Sequence, residues 1–582
     1  MFRRILVMGT LLTLVVSGCS LGSEYDAYQG PETDTGDAAD GGDTSEPADV
    51  DDADTPADTD ADSVEEDVPG MDVDVDDEVP DTADAEDASD TADAPVDTGD
   101  CDEEDEPDHD RIDSNCDGVD GNALAAIFVA PDAGDDLNDG SAQSPVRTLP
   151  RAVELARGRG RAPIYLQKGN YSVRQPLQIP EGVNLHGGYD REPGGWTRPP
   201  ASVQLETVIS GPSPVLTYAG LARPTRLDSV AVQSATGLDG QSSVAVAVLR
   251  SGPFLHIEDC QIRGGVGGTG LPGAPGTTGP TGMPGGHPSG GTAGSGGVSA
   301  DCAASGGPGG AGGVGNAIAG RPGVVGSRGA MGGAGGQAAM NGEAGDSGEA
   351  GGNGDAGEVG SAEGRFEDDY WFPNGSMPGG RGLPGGGGGG GGGGGFSVGA
   401  VQGQMNGGGG GGGGSGGCGG AEGGGGGGGG ASIGLLVVGS TVTLERTTVT
   451  ASRGGAGGVG GRGGQGGGGG TGGGGDTCLG CSAVGGRGGN GGNGGCGANG
   501  PGGPGGPSLA VLLVPANDNA AVESGDEVTL TADGGGNPGL GGNAPGCPDS
   551  VQAETGPAGR ELTVACCIPE EGGACDALDI CP

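Results

Sequence analysis

The chain has 582 residues, but only 32% are hydrophobic and 3% aromatic, well below a globular average, so much of it cannot be packed core. Its formal net charge is -54, and 41 of its 79 acidic residues lie between positions 24 and 120, where Arg111 is the one basic residue. With a single lysine, Lys168, in the whole chain, a nucleic-acid partner is excluded, because neutralising phosphates takes clustered Lys and Arg.

Residues 1–18 carry Arg3 and Arg4, an apolar run from Ile5 to Val16, and then small residues before Cys19. This pattern predicts a signal peptide, too short to span a membrane as a helix. The ending VSGC resembles the lipobox of bacterial lipoproteins, which implies that Cys19 is acylated and becomes the new N-terminus. Several acyl chains, at about 0.8 kcal/mol per buried methylene, would then hold the protein on a membrane. By the same resemblance, Ser20 beside the anchor implies the outer membrane.

From 19 to 100 the chain is mostly Asp, Thr, Ala, Pro and Val, and like-charge repulsion with little apolar surface predicts a disordered acidic spacer. A coil of that length spans roughly 45 Å even before repulsion extends it.

Residues 101–122, CDEEDEPDHDRIDSNCDGVDGN, change character. Asp113, Asn115, Asp117 and Gly118 fit the first half of a calcium loop, in which alternate side chains converge on one ion and glycine permits the turn. Position twelve would be Leu124, so Asp120, or Asp108 and Asp110 from upstream, would have to complete the shell. Oxygen donors select Ca²⁺ over Zn²⁺, and Cys101 with Cys116 then reads as a disulfide. The segment Asn115 to Gly121 resembles the MopE-type metal-binding motif, and that resemblance also implies a metal. His109 is expected to be solvated.

Residues 123–263 hold the first ordinary folding signals. Ile127 to Val129 reads as a strand, and TLPRAVELARGRG places Leu149, Ala152, Val153 and Ala156 at helical spacing, with Thr148 as N-cap and Gly158 as the stop. Short alternating runs follow at 164–166, 177–179, 183–185, 208–209 and 215–217, with KGNY at 168–171 expected as a turn. FLHIEDCQIR at 254–263 returns as TVTLERTTVT at 441–450: Leu255, Ile257 and Ile262 match Val442, Leu444 and Val449, and Cys260 gives way to Thr447. A third copy, RLDSVAV, puts Leu227, Val230 and Val232 at the offsets of Ile257, Cys260 and Ile262. Each copy reads as one coil of a β-solenoid, burying its inward residues against the next.

The run from NDGSAQSPVRTLPRAVELARGRGRAPIYLQKGNY to GVNLHGGYD and Trp196 resembles the pectate-lyase-like superfamily. This implies an all-β, right-handed parallel β-helix with an N-terminal capping helix. Sugar-cleaving members place acids on an outer face, and the candidates here are Asp228, Glu258, Asp259 and Glu445, the first, second and fourth at one repeated offset. A solvated column is expected, since no further paired-acid or basic constellation accompanies it, and no residue is assigned as catalytic. His186 and His256 are expected to be structural.

Glycine-rich stretches at 264–430 and 454–506 interrupt the coils at 431–453 and 507–533. Glycine recurs every third position in 270–285 and nearly so in 342–360. Flexible coil is the simpler expectation, with packed polyproline-II-like glycine helices as the alternative and collagen disfavoured by the broken period. Tyr370, Trp371 and Phe372 form a candidate contact site for polysaccharide or a surface protein. Cys478 and Cys481 suit a disulfide better than zinc, and 534–582 reads as a stapled Cys-rich tail. Thirteen cysteines besides Cys19 leave at least one unpaired within the chain.

Together these features predict a lipid-anchored protein of the bacterial surface, non-enzymatic, for adhesion, matrix or envelope contact. A polysaccharide lyase or glycoside hydrolase using the β-helix face is the rival expectation.

Overall fold

The computed structural model describes residues 101, 104–109, 111–192, 195–199, 205–315, 318–397, 406–477, 479–516, 520–547 and 552–567. The signal peptide, Cys19, the acidic spacer, Asp110, Cys478, Cys575 and Cys581 lie outside them. All described residues belong to the compact unit Pro95–Pro582.

The body is a right-handed parallel β-helix whose coils each contribute one strand to three long sheets. The first sheet stacks Ile127–Val129, Ile164–Gln167, Leu185–Glu192, Thr225–Asp228, Leu255–Glu258, Thr441–Glu445 and Ala521–Ser524. Gly195–Thr197 folds back antiparallel on the third of these. Gly169–Ser172, Thr207–Gly211, Ala231–Ser234, Gln261–Gly264, Thr448–Ala451 and Thr529–Ala532 form the second. In the third are Leu177–Ile179, Leu216–Ala219, Ser243–Leu249, Ser432–Val438, Ser508–Val514 and Glu561–Cys566.

The repeated offsets are contacts between neighbouring coils. Ile257 pairs with Leu227 below and Leu444 above, and Ile262 with Val232 and Val449. These residues, with Cys260, line one continuous core. Leu149–Gly158 is the helix, capped by the Thr148 side chain, and its four apolar residues close the first coil. The helix ends at the expected stop, Gly158, with Arg159 as its C-cap. Two expectations fail: 169–172 is a strand of the second sheet, not a turn, and Glu561–Cys566 is a strand of the third sheet, not part of a separate tail.

The glycine tracts are ordered, which overturns the flexible-coil reading. Their excursions, 265–431, 452–507 and 533–560, all leave after a second-sheet strand and return at a third-sheet strand, so they emerge from one corner of successive coils. Backbone hydrogen bonds recur every third residue: the amides of Gly270, Gly273, Gly276 and Gly279 donate to the carbonyls of Ala456, Val459, Arg462 and Gln465. This is the pattern of polyproline-II helices packed side by side, which have three residues per turn and no internal hydrogen bonds.

Neighbour number explains the glycine content. In the nearly pure glycine run, the amides of Gly387, Gly388 and Gly389 donate to three different segments, at Ser327, Gly414 and Asp346. A Cβ on any of them would stand 2.0–2.1 Å from a carbonyl oxygen of yet another neighbour. In 342–360 one glycine per turn faces the bundle, at Gly342, Gly345, Gly348, Gly351 and Gly354, and the residues between face outward. Disulfides Cys302–Cys418 and Cys496–Cys547 cross-link the bundle, so Cys547 is not part of a tail cap. Cys481, Cys566 and Cys567 are also disulfide-bonded, while Cys260 is a free, buried thiol.

Gly389→Ala should destabilise the protein by about 1–3 kcal/mol, the usual cost of overpacking. Gly468→Ala, where an added Cβ meets nothing within 4 Å, should change stability by less than about 0.5 kcal/mol. Thermal unfolding of the two variants checks the pair.

Candidate functional site

Alternation along the first-sheet strands turns Leu255 and Ile257 inward and His256 and Glu258 outward. Because the coils stack in register, His186, Asp228, Glu258 and Glu445 form one column on the outer face. The column is not the solvated one expected: Asp228 is 3% exposed and Glu258 is 7% exposed.

Two arginines and the acidic segment account for the burial. Arg198 donates to Asp228 at 2.7 Å, to Asp120 at 2.8 Å and to the hydroxyl of Ser229 at 2.9 Å, and its guanidinium lies over the Tyr189 ring. His186 Nδ1 is 3.0 Å from the same Asp228 oxygen, and Ser229 donates to the other. Burial alone would raise the Asp228 pKa, but the Arg198 charge and the hydrogen bonds from His186 and Ser229 outweigh it and bring it to about 2. Burial pushes Asp120 up to about 6 despite Arg198, and it lowers the His186 pKa despite Asp228.

On the next coils Arg446 bridges Glu258, Asp259 and Glu445. Ser229, Asp259 and Arg446 all follow the column residue and adopt positive φ, at 55°, 48° and 43°, which marks the bend between the first and second sheets.

The acidic segment lies over this face. The Pro107 carbonyl accepts from Arg226, Arg111 donates to Ser229, and His109 Nδ1 is 2.9 Å from Asp259, so His109 is not simply solvated. Val119 bridges to Trp196, and the Tyr189 hydroxyl donates to the Asp120 carbonyl. A cleft of about 350 Å³ remains between the segment and the body, lined by Asp105, Pro107, Asn122, Asn184, His186 and Arg226 among others.

Five of the six expected calcium ligands lie among the described residues, and each makes a hydrogen bond within the protein. Asp113 accepts from the amides of Asp117 and Gly118, Asn115 from Asp117, and Asp117 from Val119 and Ala123. Asp120 is turned inward onto Arg198, Asp108 accepts from the Arg111 amide, and Asp110 is outside the described residues. The loop is closed by the expected disulfide, Cys101–Cys116.

Tyr370–Pro373 pairs with Gly364–Glu367 as a hairpin. Trp371 is 5% exposed and packs with Phe366 on the apolar outer face of the third sheet, so it pins the hairpin rather than presenting a contact surface. Tyr370 and Phe372 remain exposed, their ring centres 6.4 Å apart.

Sequence reasoning missed Arg198 and Arg446. Arg446 carried a signal, because it occupies the offset of Asp259 one coil on; Arg198, at the end of an irregular hairpin, carried none. Beside the buried His186–Asp228 pair, the Ser229 hydroxyl donates to Asp228.

Arg198→Met should cost about 3–5 kcal/mol, since it leaves two buried carboxylates without their cation. Chemical unfolding measures it. Asp120 has a folded pKa above its ordinary 3.8, so its contribution is complete below pH 3.8 and is lost as pH rises through about 6. The stability of Asp120→Asn relative to the natural chain should therefore rise between pH 4 and pH 6, and unfolding curves across that window check it.

Residues 132–217, well under half of the chain, match the family described as protein of unknown function DUF1565. No curated protein matches. Among solved structures, a rhamnogalacturonan lyase is 12% identical with a TM-score of 0.17, covering 27% of this chain and 39% of its own. The tailspike protein of Acinetobacter phage vB_ApiP_P1 is 10% identical, with a TM-score of 0.15, covering 26% and 31%. A pectin methylesterase from Aspergillus niger is 10% identical, also at 0.15, covering 25% and 60%. The chain thus spans less than two thirds of each of these structures.

Proposed function

We propose that this protein is a lipid-anchored, non-enzymatic component of the bacterial outer surface that makes adhesive, matrix or envelope contacts. One observation supports the non-enzymatic reading above others: the outward acids are engaged by arginines. Asp228 is enclosed by Arg198, His186 and Ser229. Arg446 occupies one oxygen of Glu258 and one of Glu445, the pair that a glycosidase would need free as acid and as nucleophile or base. A rigid bundle rooted along one corner suits display, with Tyr370 and Phe372 as exposed aromatic contacts for polysaccharide or a surface protein. Cys19 supplies the anchor and the acidic spacer the distance from the membrane.

The test is to incubate the mature chain with a panel of polysaccharides and record binding alongside reducing-end and unsaturated products. Binding without turnover is the expected result, and turnover would establish the lyase or hydrolase reading instead. Cys19→Ala should abolish metabolic acyl labelling and release the protein from membranes; unchanged labelling would refute the anchor.

A further inference from the structure

The half-open end of the charged column has a feature that neither adhesion nor ion pairing explains. His256, Glu258 and Glu445 each bring one ligand atom into a group whose members all lie within 4.8 Å of one another. His256 Nε2 is 3.3 Å from Glu445 Oε2 and 3.8 Å from Glu258 Oε2. Yet it is out of solvent and hydrogen-bonded to nothing, so neither carboxylate lies in line with it. A simple imidazole–carboxylate ion pair would align the N–H with an oxygen, and a buried ring nitrogen without a partner is costly.

The surroundings leave these three atoms for a common occupant. Arg446 Nη2 and Nη1 take Oε1 of Glu258 and Oε1 of Glu445, so Oε2 of each carboxylate remains for the imidazole side. Arg226 Nη2 stands 3.7 Å from Glu258 Oε2, beyond hydrogen-bond length. Glu258 is fixed from below by the strand carrying Asp228 and from above by the strand carrying Glu445.

We propose that His256 Nε2, Glu258 Oε2 and Glu445 Oε2 bind a divalent transition-metal ion, with Zn²⁺ the best chemical match. Imidazole among the donors selects Zn²⁺ or its neighbours over Ca²⁺ and Mg²⁺. Tetrahedral ligands at about 2.0–2.1 Å from zinc stand roughly 3.4 Å apart. His256 and Glu445 are already at that spacing, and Glu258 must approach the imidazole by a few tenths of an ångström. Arg446 then holds both carboxylates in orientation as an outer-shell partner. His256 and Glu445 are each about one third exposed, which leaves the fourth position open to water or to an oxygen donor of a ligand. The site shares no residue with the 101–122 loop.

The experiment is isothermal titration of the metal-stripped, untagged full chain in detergent with Zn²⁺, followed by visible spectra with Co²⁺. One equivalent of Zn²⁺ should bind, weakened at least about tenfold in His256→Ala and in Glu445→Gln and unchanged in the double variant Asp113→Asn, Asp117→Asn. Co²⁺ should give the absorption bands of a four-coordinate site, lost in the same two single variants. Both substitutions are at part-exposed positions, and circular dichroism establishes that the variants remain folded. Absence of zinc binding by the natural chain overturns the proposal, and so does binding that survives both single substitutions unchanged.

Discussion

Hydrogen-bond ladders running from coil to coil in register are the constraint on which the body depends. Each parallel strand satisfies its amides and carbonyls on the coils above and below, so a given offset in one coil lies directly over the same offset in the next. Identical spacing in sequence therefore becomes adjacency in space. That rule builds the apolar columns through Ile257 and Ile262, and it equally stacks Asp228, Glu258 and Glu445, whose like charges would repel. Arg198 and Arg446 are the local solution to that repulsion. They also make the face tolerant of a covering segment, because carboxylates paired with guanidinium can be desolvated where unpaired ones cannot.

The glycine bundle solves the same backbone problem laterally. A polyproline-II helix leaves every amide and carbonyl unsatisfied within itself, so it must be solvated or find neighbours. Each neighbour excludes the side chain on one of the three faces. A helix at the edge thus needs one glycine per turn, and a helix in the interior needs three, which is the difference between 342–360 and the run at 385–395. Composition that reads as low complexity is a record of how many neighbours each segment has.

Much of the fold was legible because its physics is periodic. The three copies around Leu227, Ile257 and Leu444 gave register, and Thr148 with its apolar residues gave the helix. The order of the glycine tracts was not legible from one tract alone, since its partners lie in distant segments of the same insertion, as with Gly387 and Ser327, or in another insertion, as with Gly270 and Ala456. The strand at 169–172 was hidden by Gly169 and Asn170, which ordinarily signal a turn but here take their register from the coil that carries Thr207. At the charged face, the column was visible as a repeated acid, while the charges that neutralise it come from an irregular hairpin and a bend. In the acidic loop, the sequence displays the carboxylates but not that Asp113 accepts from the loop's own amides or that Asp120 pairs with Arg198, a cation that no local pattern announces.

All three glycine excursions leave from the same corner, and this sets a rule for how such a molecule can change in size. A polyproline-II turn advances about 9.3 Å for three residues. Lengthening one segment by anything other than whole triplets would rotate its glycines away from their neighbours' carbonyls, whereas whole triplets added to facing segments leave every contact in phase. Reach outward from the corner is therefore quantised, and it can vary without altering a single residue of the coils that carry the bundle.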